Sequence, residues 1–251
     1  EIIYATGALR TVKSTANADG GQDTITLSGD VNQVIGGSDD DTITVVAATS
    51  TDHVVGDNGV MTYTGPAGSE QLINLQSYLG EAGGNDSITL GSGDKVVIAG
   101  LGEDTVTTTL SSVGTRYVVG DEGEIGYDAN NILEVAKSTS TAGGADTLTL
   151  GGASATDVNV VIGGVGGDDI DTGDSTDYVM GDNGEIQWTG GIIDSMVSLN
   201  SAFGGNDDID LGNGSKTVIA GMADDTVDTG TSGIHRVIGD NGEIVYATGA
   251  L

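Results

Sequence analysis

Apolar residues in this chain recur at every second position over very short runs. Thr24-Ile25-Thr26 and Thr42-Ile43-Thr44 read polar, apolar, polar, which is the period of a strand with one buried face. A helix would place its apolar residues three and four apart, so the helical reading fails. Within residues 1–59 the pattern predicts six short strands, near Ile2–Tyr4, Arg10–Val12, Thr24–Leu27, Gln33–Ile35, Thr42–Val45 and His53–Val55. Carried along the chain, the same alternation predicts inward positions at Ile25, Val34, Ile43, Val54, Ile88, Val97, Val106, Leu148, Val161, Ile170, Ile209, Val218 and Val227.

The stretch 83–107, GGNDSITLGSGDKVVIAGLGEDTVT, shows what separates the strands. Asp86, Lys95 and Asp104 stand nine residues apart, and each is followed two residues on by Ile88, Val97 or Val106. Glycines precede each: Gly83 and Gly84, Gly91 and Gly93, Gly100 and Gly102. Glycine opens the left-handed conformations that a tight turn needs. Two nine-residue halves make one turn of a parallel coil, so residues 18 apart stack. Asp86 and Asp104 then share an edge, where two carboxylates repel unless a cation lies between them.

A longer period lies over the short one. The marker G-D-x-G occurs at Gly56–Gly59, Gly120–Gly123, Gly181–Gly184 and Gly239–Gly242. It divides the chain into units 1–59, 60–123, 124–184 and 185–242, with 243–251 opening a fifth. Residues 1–9, EIIYATGAL, and 243–251, EIVYATGAL, differ at one position. A four-unit super-period explains that match and predicts a slice of a longer tandem array. Six strands per unit predict three coils, hence twelve in all and a rod about 58 Å long at the usual strand spacing. The less regular segment after each marker reads as a further coil with long turns, in preference to a protruding hairpin. Tyr4, Tyr63, Tyr127, Trp188 and Tyr246 fall at equivalent places there. They are expected to fill a wider part of the core, since equivalent rings three coils apart cannot form a sugar-binding stripe.

Composition sharpens this picture. The 251 residues include 44 glycines, one proline and no cysteine, and aromatic residues make up only 4%. So few rings cannot fill a thick core. Thirty-eight acidic residues against seven basic ones leave a net charge of -31, which makes nucleic acid a poor partner. No apolar run is long enough to span a membrane as a helix. Without cysteine there is neither a disulfide scaffold nor a thiolate zinc site. The only histidines are His53 and His235, too few to assemble a triad or a zinc centre. Paired aspartates that recur in every unit read as scaffold, not as a hydrolase dyad, so no enzyme is expected. Outward T-x-T pairs at Thr24/Thr26, Thr42/Thr44, Thr62/Thr64 and Thr105/Thr107 are similar to the ladder of an ice-binding solenoid. Asp169/Asp171 and Asp208/Asp210 interrupt it.

The glycine-rich nonapeptide with its acidic position resembles the calcium-binding repeats of RTX proteins, over nearly the whole chain. The 60-residue unit looks like repeats of very long bacterial surface and adhesin-like proteins. The resemblance implies an all-β parallel β-roll or β-solenoid that is exported and folds on meeting extracellular calcium. It places calcium between Asp23 and Asp41, Asp86 and Asp104, Asp146 and Asp168, and Asp207 and Asp225. The offsets are 18, 18, 22 and 18 residues, with the extra length of the third assigned to the opposite turn around 153–157. Weaker positions are Asp57, Asp121, Asp182 and Asp240 of the G-D-x-G markers. The opposite edge carries Asn32 and Asp52, Lys95 and Arg116, Asn159 and Asp177, Lys216 and His235. Lysine and arginine offer no lone pair to a metal, so weaker sites on that edge are confined to Asp52 and Asp177, and the lysines are expected to act as fixed cations. The expected role is a structural fibre or adhesin stalk that self-associates end to end or laterally. The alternatives are a ligand-binding face for ice, glycan or a cell surface, and a calcium-folded appendage of a secreted enzyme.

Overall fold

The computed structural model describes residues 1–15, 19–78, 80, 82–109, 113–138 and 140–247. The last four residues of the terminal repeat, 248–251, lie outside them. Every regular element among the described residues is a β-strand, and no helix is long and apolar enough to cross a membrane.

Two sheets account for all the strands. One is parallel and has fourteen strands; the other has nine, paired antiparallel throughout. The parallel sheet winds as a flattened coil with two faces. Face one stacks Thr24–Leu27, Thr42–Val45, Ser87–Leu90 and Thr105–Thr108, then the start of Thr147–Gly164. It continues through the start of Asp169–Asp182 to Asp208–Leu211 and Thr226–Asp228. Face two stacks Val31–Ile35, Thr51–Val55, Lys95–Ile98 and Thr115–Val119, then the ends of the same two long strands, Lys216–Ile219 and His235–Ile238. Neighbours within each face lie in register, as in Ile43 beside Ile88 and Val54 beside Val97. The result is an all-β, solenoid-like stack of eight rungs.

The segment after each G-D-x-G is where the sequence expectation of a third coil gives way. Gly59–Thr64 folds back on Gln71–Ser77, Gly123–Tyr127 on Leu133–Ser138, and Gly184–Thr189 on Ile192–Ser198. At the start of the chain Ile2–Ala5 does the same on Ala8–Lys13. These hairpins pair with one another across units, as in Thr11 beside Thr62 and Ala136 beside Ile186. Two rungs per unit replace the predicted three. Eight rungs at the usual spacing make a rod about 38 Å long, not about 58 Å. The geometry explains why hairpins fit. A hairpin adds two strands per unit to its sheet and the coil adds two rungs, so both layers advance along the axis at one rate.

Face two is therefore sandwiched, and there are two cores. The thirteen positions read as inward all belong to the first, between faces one and two, with Ile25 and Val227 partly buried at its ends. The second lies between face two and the hairpins and contains Val55, Met61, Leu75, Ile98, Ile125, Ile162, Ile186, Met196 and Ile219. A strand buried on both sides carries a continuous apolar run, which is why Val96-Val97-Ile98 does not alternate: Val97 faces one core, Val96 and Ile98 the other. The threonine rows Thr24, Thr42, Thr105 and Thr147 stand outward on face one, joined by Asp169 and Asp208. Thr62 and Thr64, grouped with them by sequence, lie in the hairpin sheet.

Candidate functional site

Wherever face two turns back to face one, an aspartate stands at the end of the turn. These residues form a single column rather than four separate pairs. The Asp23 amide donates to Asp41 Oδ1 at 2.7 Å, Asp41 to Asp86 at 2.8 Å, Asp86 to Asp104 at 2.7 Å and Asp104 to Asp146 at 2.8 Å. Asp146 donates to Asp168 at 2.9 Å, Asp168 to Asp207 at 2.8 Å and Asp207 to Asp225 at 3.0 Å. The pairs at 18 and 22 residues are thus brought together. So are Asp41 with Asp86, Asp104 with Asp146 and Asp168 with Asp207, whose separations of 45, 42 and 39 residues include a hairpin. The extra residues of the third pair fall at the register break between Ala153 and Val158, on the far edge.

Each carboxylate thus spends one oxygen on the rung before it. The other, Oδ2, is buried and unpartnered at Asp41, Asp86, Asp104, Asp146, Asp168, Asp207 and Asp225. Main-chain carbonyls converge on the same places. At Gly56, the point a Cβ would occupy lies 2.2 Å from Asp86 Oδ2 and 2.3 Å from the Ala99 carbonyl. Gly36 meets Asp41 Oδ2 and the Gly56 carbonyl in this way, and Gly163 meets Asp168 Oδ2 and the Gly181 carbonyl. Gly181 meets Asp207 Oδ2 and the Ala220 carbonyl. At the rungs of Asp104 and Asp225 the equivalent residues are Ala99 and Ala220, so a methyl group takes that point. The turns share one backbone demand: Gly37, Gly100, Gly164 and Gly221 have φ of 123, 125, 126 and 127°.

Burial pushes these carboxyls far above their ordinary range. Asp86 rises to about 8 and Asp104, Asp146 and Asp207 to about 9, chiefly by desolvation, with repulsion from neighbouring aspartates added. Asp168 rises to about 7 for the first reason. Asp41 and Asp225, nearer the ends, are raised as well, again mainly by desolvation.

The G-D-x-G aspartates do a different job. Where the chain leaves for a hairpin, the turn is broken, and the marker aspartate closes the gap. Asp57 Oδ1 accepts the Gly84 amide at 3.0 Å and Oδ2 the Leu101 amide at 2.5 Å. Asp182 accepts Gly205 at 3.0 Å and also Met222, and Asp121 accepts Val165. Asp240, in the last turn, is exposed.

The opposite edge has its own column, in register from Asn32 through Asp52, Lys95, Arg116, Asn159, Asp177 and Lys216 to His235. Its charges neutralise one another. Lys95 Nζ lies 2.8 Å from Asp52 Oδ2, both side chains fully buried, and also donates to the Ser50 and Ser92 carbonyls. Asp52 Oδ1 accepts from Asn32 at 2.7 Å and Oδ2 from Ser50 Oγ at 2.9 Å. Lys216 pairs likewise with Asp177, whose oxygens also accept from Asn159, Ser175 and Thr172. Both carboxylates read as weaker metal positions on this edge are thus saturated by protein donors. Desolvation lowers the Lys95 pKa, while the Asp52 hydrogen bond opposes that shift.

The donor set of the aspartate edge fits a hard cation, which takes six to eight oxygens from carboxylates and carbonyls. Among the described residues no three acidic or imidazole side chains gather as a metal cluster. Ligation would therefore combine one free carboxylate oxygen per rung with backbone carbonyls. Comparison of the chain with protein-family models, curated proteins and solved structures finds no match.

Proposed function

We propose that this chain is a segment of a calcium-stabilised extracellular rod, a structural fibre or adhesin stalk without catalysis of its own. The observation that carries the reading is the column of seven buried Oδ2 atoms without partners, five of which, at Asp41, Asp86, Asp146, Asp168 and Asp207, converge with a main-chain carbonyl beside a glycine. Bound calcium supplies positive charge and an inner shell of oxygen bonds where the apo protein has repulsion. Asp41, Asp86, Asp104, Asp146, Asp168, Asp207 and Asp225 would hold it, with Asp23 at the open end of the column. Asp57, Asp121 and Asp182 fix the turns that present the carbonyls, and Asp52 and Asp177 hold the far edge shut with lysine. A net charge of -31 opposes compaction, so metal binding contributes directly to folding. The resemblance to RTX repeats extends the reading to a secreted bacterial surface protein. The test is a circular dichroism titration beside equilibrium dialysis with radioactive calcium. The expected outcome at pH 8 is little β-structure in EGTA, recovery with millimolar calcium, and several ions retained per chain. Full structure in EGTA with no retained calcium would end the proposal.

A further inference from the structure

A second feature repeats along the rod, on the side where face two meets the hairpins. Across every G-D-x-G marker, one side chain from face two and one from the following hairpin, ten residues later, stand on the same side of the rod. His53 Nδ1 lies 3.0 Å from Tyr63 Oη. Tyr117 and Tyr127 meet edge to face with centroids 6.3 Å apart. Tyr178 and Trp188 line one cavity together, and the Arg236 guanidinium lies 6.0 Å from the centre of the Tyr246 ring. The pairs occupy alternate rungs of a single register row that runs His53, Val96, Tyr117, Val160, Tyr178, Thr217, Arg236. Equivalent pairs are therefore two rungs apart, about 9.6 Å, and not three coils apart.

At the intervening rungs the row holds a valine, and there the wall opens. Val96 lies in a cavity of about 440 Å³, bounded by His53 on one side and by Tyr117 and Tyr127 on the other, with Glu70, Asp94 and Asn131 at its polar rim. Val160 lies in a cavity of about 380 Å³, bounded by Tyr117 and by Tyr178 with Trp188. Both volumes fall in the ~300–1,000 Å³ range of small-molecule sites. Where Thr217 replaces valine, its hydroxyl lies 3.1 Å from Tyr246 Oη instead. Tyr117 and Thr115 are shared by both cavities.

We infer that these two cavities are consecutive subsites for a neutral, β-linked polysaccharide lying along the rod axis. Four observations select that chemistry. Each cavity has rings above and below it, suited to the apolar C–H faces of a pyranose. The rim of the first offers the Glu70 and Asp94 carboxylates and the Asn131 amide as acceptors of hydroxyl hydrogens, and the second offers the hydroxyls of Thr115 and Tyr178. The spacing of about two rungs, ~9.6 Å, is close to the length of an extended disaccharide, so one polymer can fill both subsites and gain by avidity. The net charge of -31 turns away polyanions. The inference goes beyond the structural role proposed above and stands apart from the calcium reading, because none of these residues belongs to the aspartate edge.

Trp188 is the sole tryptophan, so its fluorescence reports the second cavity directly. The experiment titrates the full chain, its fold checked by circular dichroism in calcium buffer, with cellohexaose and with chitohexaose, and with spermine as a cationic control. The expected result is a saturable Trp188 shift and heat release with at least one hexasaccharide at millimolar concentration or below. Tyr117→Ala weakens binding at least tenfold, Tyr117→Phe keeps it within about twofold, and Val160→Phe, which fills the second cavity, abolishes the fluorescence change. Tyr4→Ala, at an exposed ring, leaves binding unaltered. Absence of any response to both sugars overturns the inference. So does binding that Tyr117→Ala and Val160→Phe leave intact, or a response to spermine alone. Should Tyr117→Ala not fold, the Val160→Phe and Tyr117→Phe pair decides.

Discussion

Without metal, this fold should lose stability as pH rises through the neutral range, the reverse of ordinary acid denaturation. Asp104, Asp146 and Asp207 are held near 9 and Asp86 near 8, against 3.8 for an unperturbed aspartate. A carboxyl whose folded pKa is raised favours the fold fully below its unfolded pKa, and that advantage is lost as pH climbs toward the folded value. At about 1.4 kcal/mol per pH unit, one such group at pH 8 destabilises the calcium-free fold by about 5 kcal/mol. Three of them match the whole stability of an ordinary domain, about 5–15 kcal/mol. The fully ionised column cannot stand alone, so the chain must keep protons, bind cations or unfold. The assay is thermal melting by circular dichroism at half-unit steps from pH 5 to 8.5, in calcium-free buffer and in millimolar calcium. A loss of about 5 kcal/mol lowers Tm by about 10–20 °C in a chain of this size, and a larger fall is expected without calcium. With calcium bound, Tm should vary little over the same range. A calcium-free Tm that holds or rises from pH 5 to 8 refutes the buried-carboxyl account.

Other perturbations separate the parts. Asp57→Ala removes the acceptor for the Gly84 and Leu101 amides and should cost about 1–3 kcal/mol for each stranded donor; Tm should fall both in calcium and in calcium-free buffer at pH 5, where the protonated column lets the chain fold, whereas a loss seen only in calcium would make Asp57 a ligand. Lys95→Met strands the buried Asp52 carboxylate and should cost about 3–5 kcal/mol in urea unfolding, with most of it recovered in Lys95→Met/Asp52→Asn. Gly100→Ala forces a side chain onto φ of 125° and toward Asp57 Oδ2 at 2.3 Å; the strain alone is worth about 1–3 kcal/mol, and a Tm within 2 °C of the parent would show that the turn relaxes freely.

The first core was legible in the sequence because the strands of face one alternate, and the nine-residue beat carried the same inward position over to Val97 and Val218 on face two. Ile43, Ile88, Val106 and Leu148 all come from strands with one face in solvent. The second core was hidden by the strands that serve both. Lys95–Ile98 is buried at all four positions; the nine-residue beat points Val97 inward, but nothing local says that a third layer covers Val96 and Ile98. The hairpins were hidden for a related reason. Their strands alternate as coil strands do, and only the turn chemistry at Thr6-Gly7, Gly65, Asn131 and Gly190-Gly191, all with positive φ, distinguishes a reversal from a crossover. On the aspartate edge, spacing within a unit located Asp86 over Asp104. Spacing could not show that Asp41 stacks on Asp86, because the intervening hairpin has no fixed place in an 18-residue count.

The two edges of the coil solve one electrostatic problem in two ways. Stacked rungs bring like positions within about 5 Å of each other, so a charged residue repeated on an edge meets its own kind. On one edge the chain sets Asp52 beside Lys95 and Asp177 beside Lys216, and cancels the carboxylate charge with its own side chains. On the other it repeats aspartate at every rung and, from Asp41 to Asp225, leaves the second oxygen of each without a donor. A sequence able to place lysine at a stacked position on one edge had the same means on the other. Its absence from the aspartate edge therefore fits the proposal of a balance left to a mobile cation. Replacing Asp104 with lysine should then mimic that ion locally. The variant should keep more β-structure than the parent in EGTA at pH 8 and respond less to added calcium, and less β-structure than the parent in EGTA would count against the whole scheme.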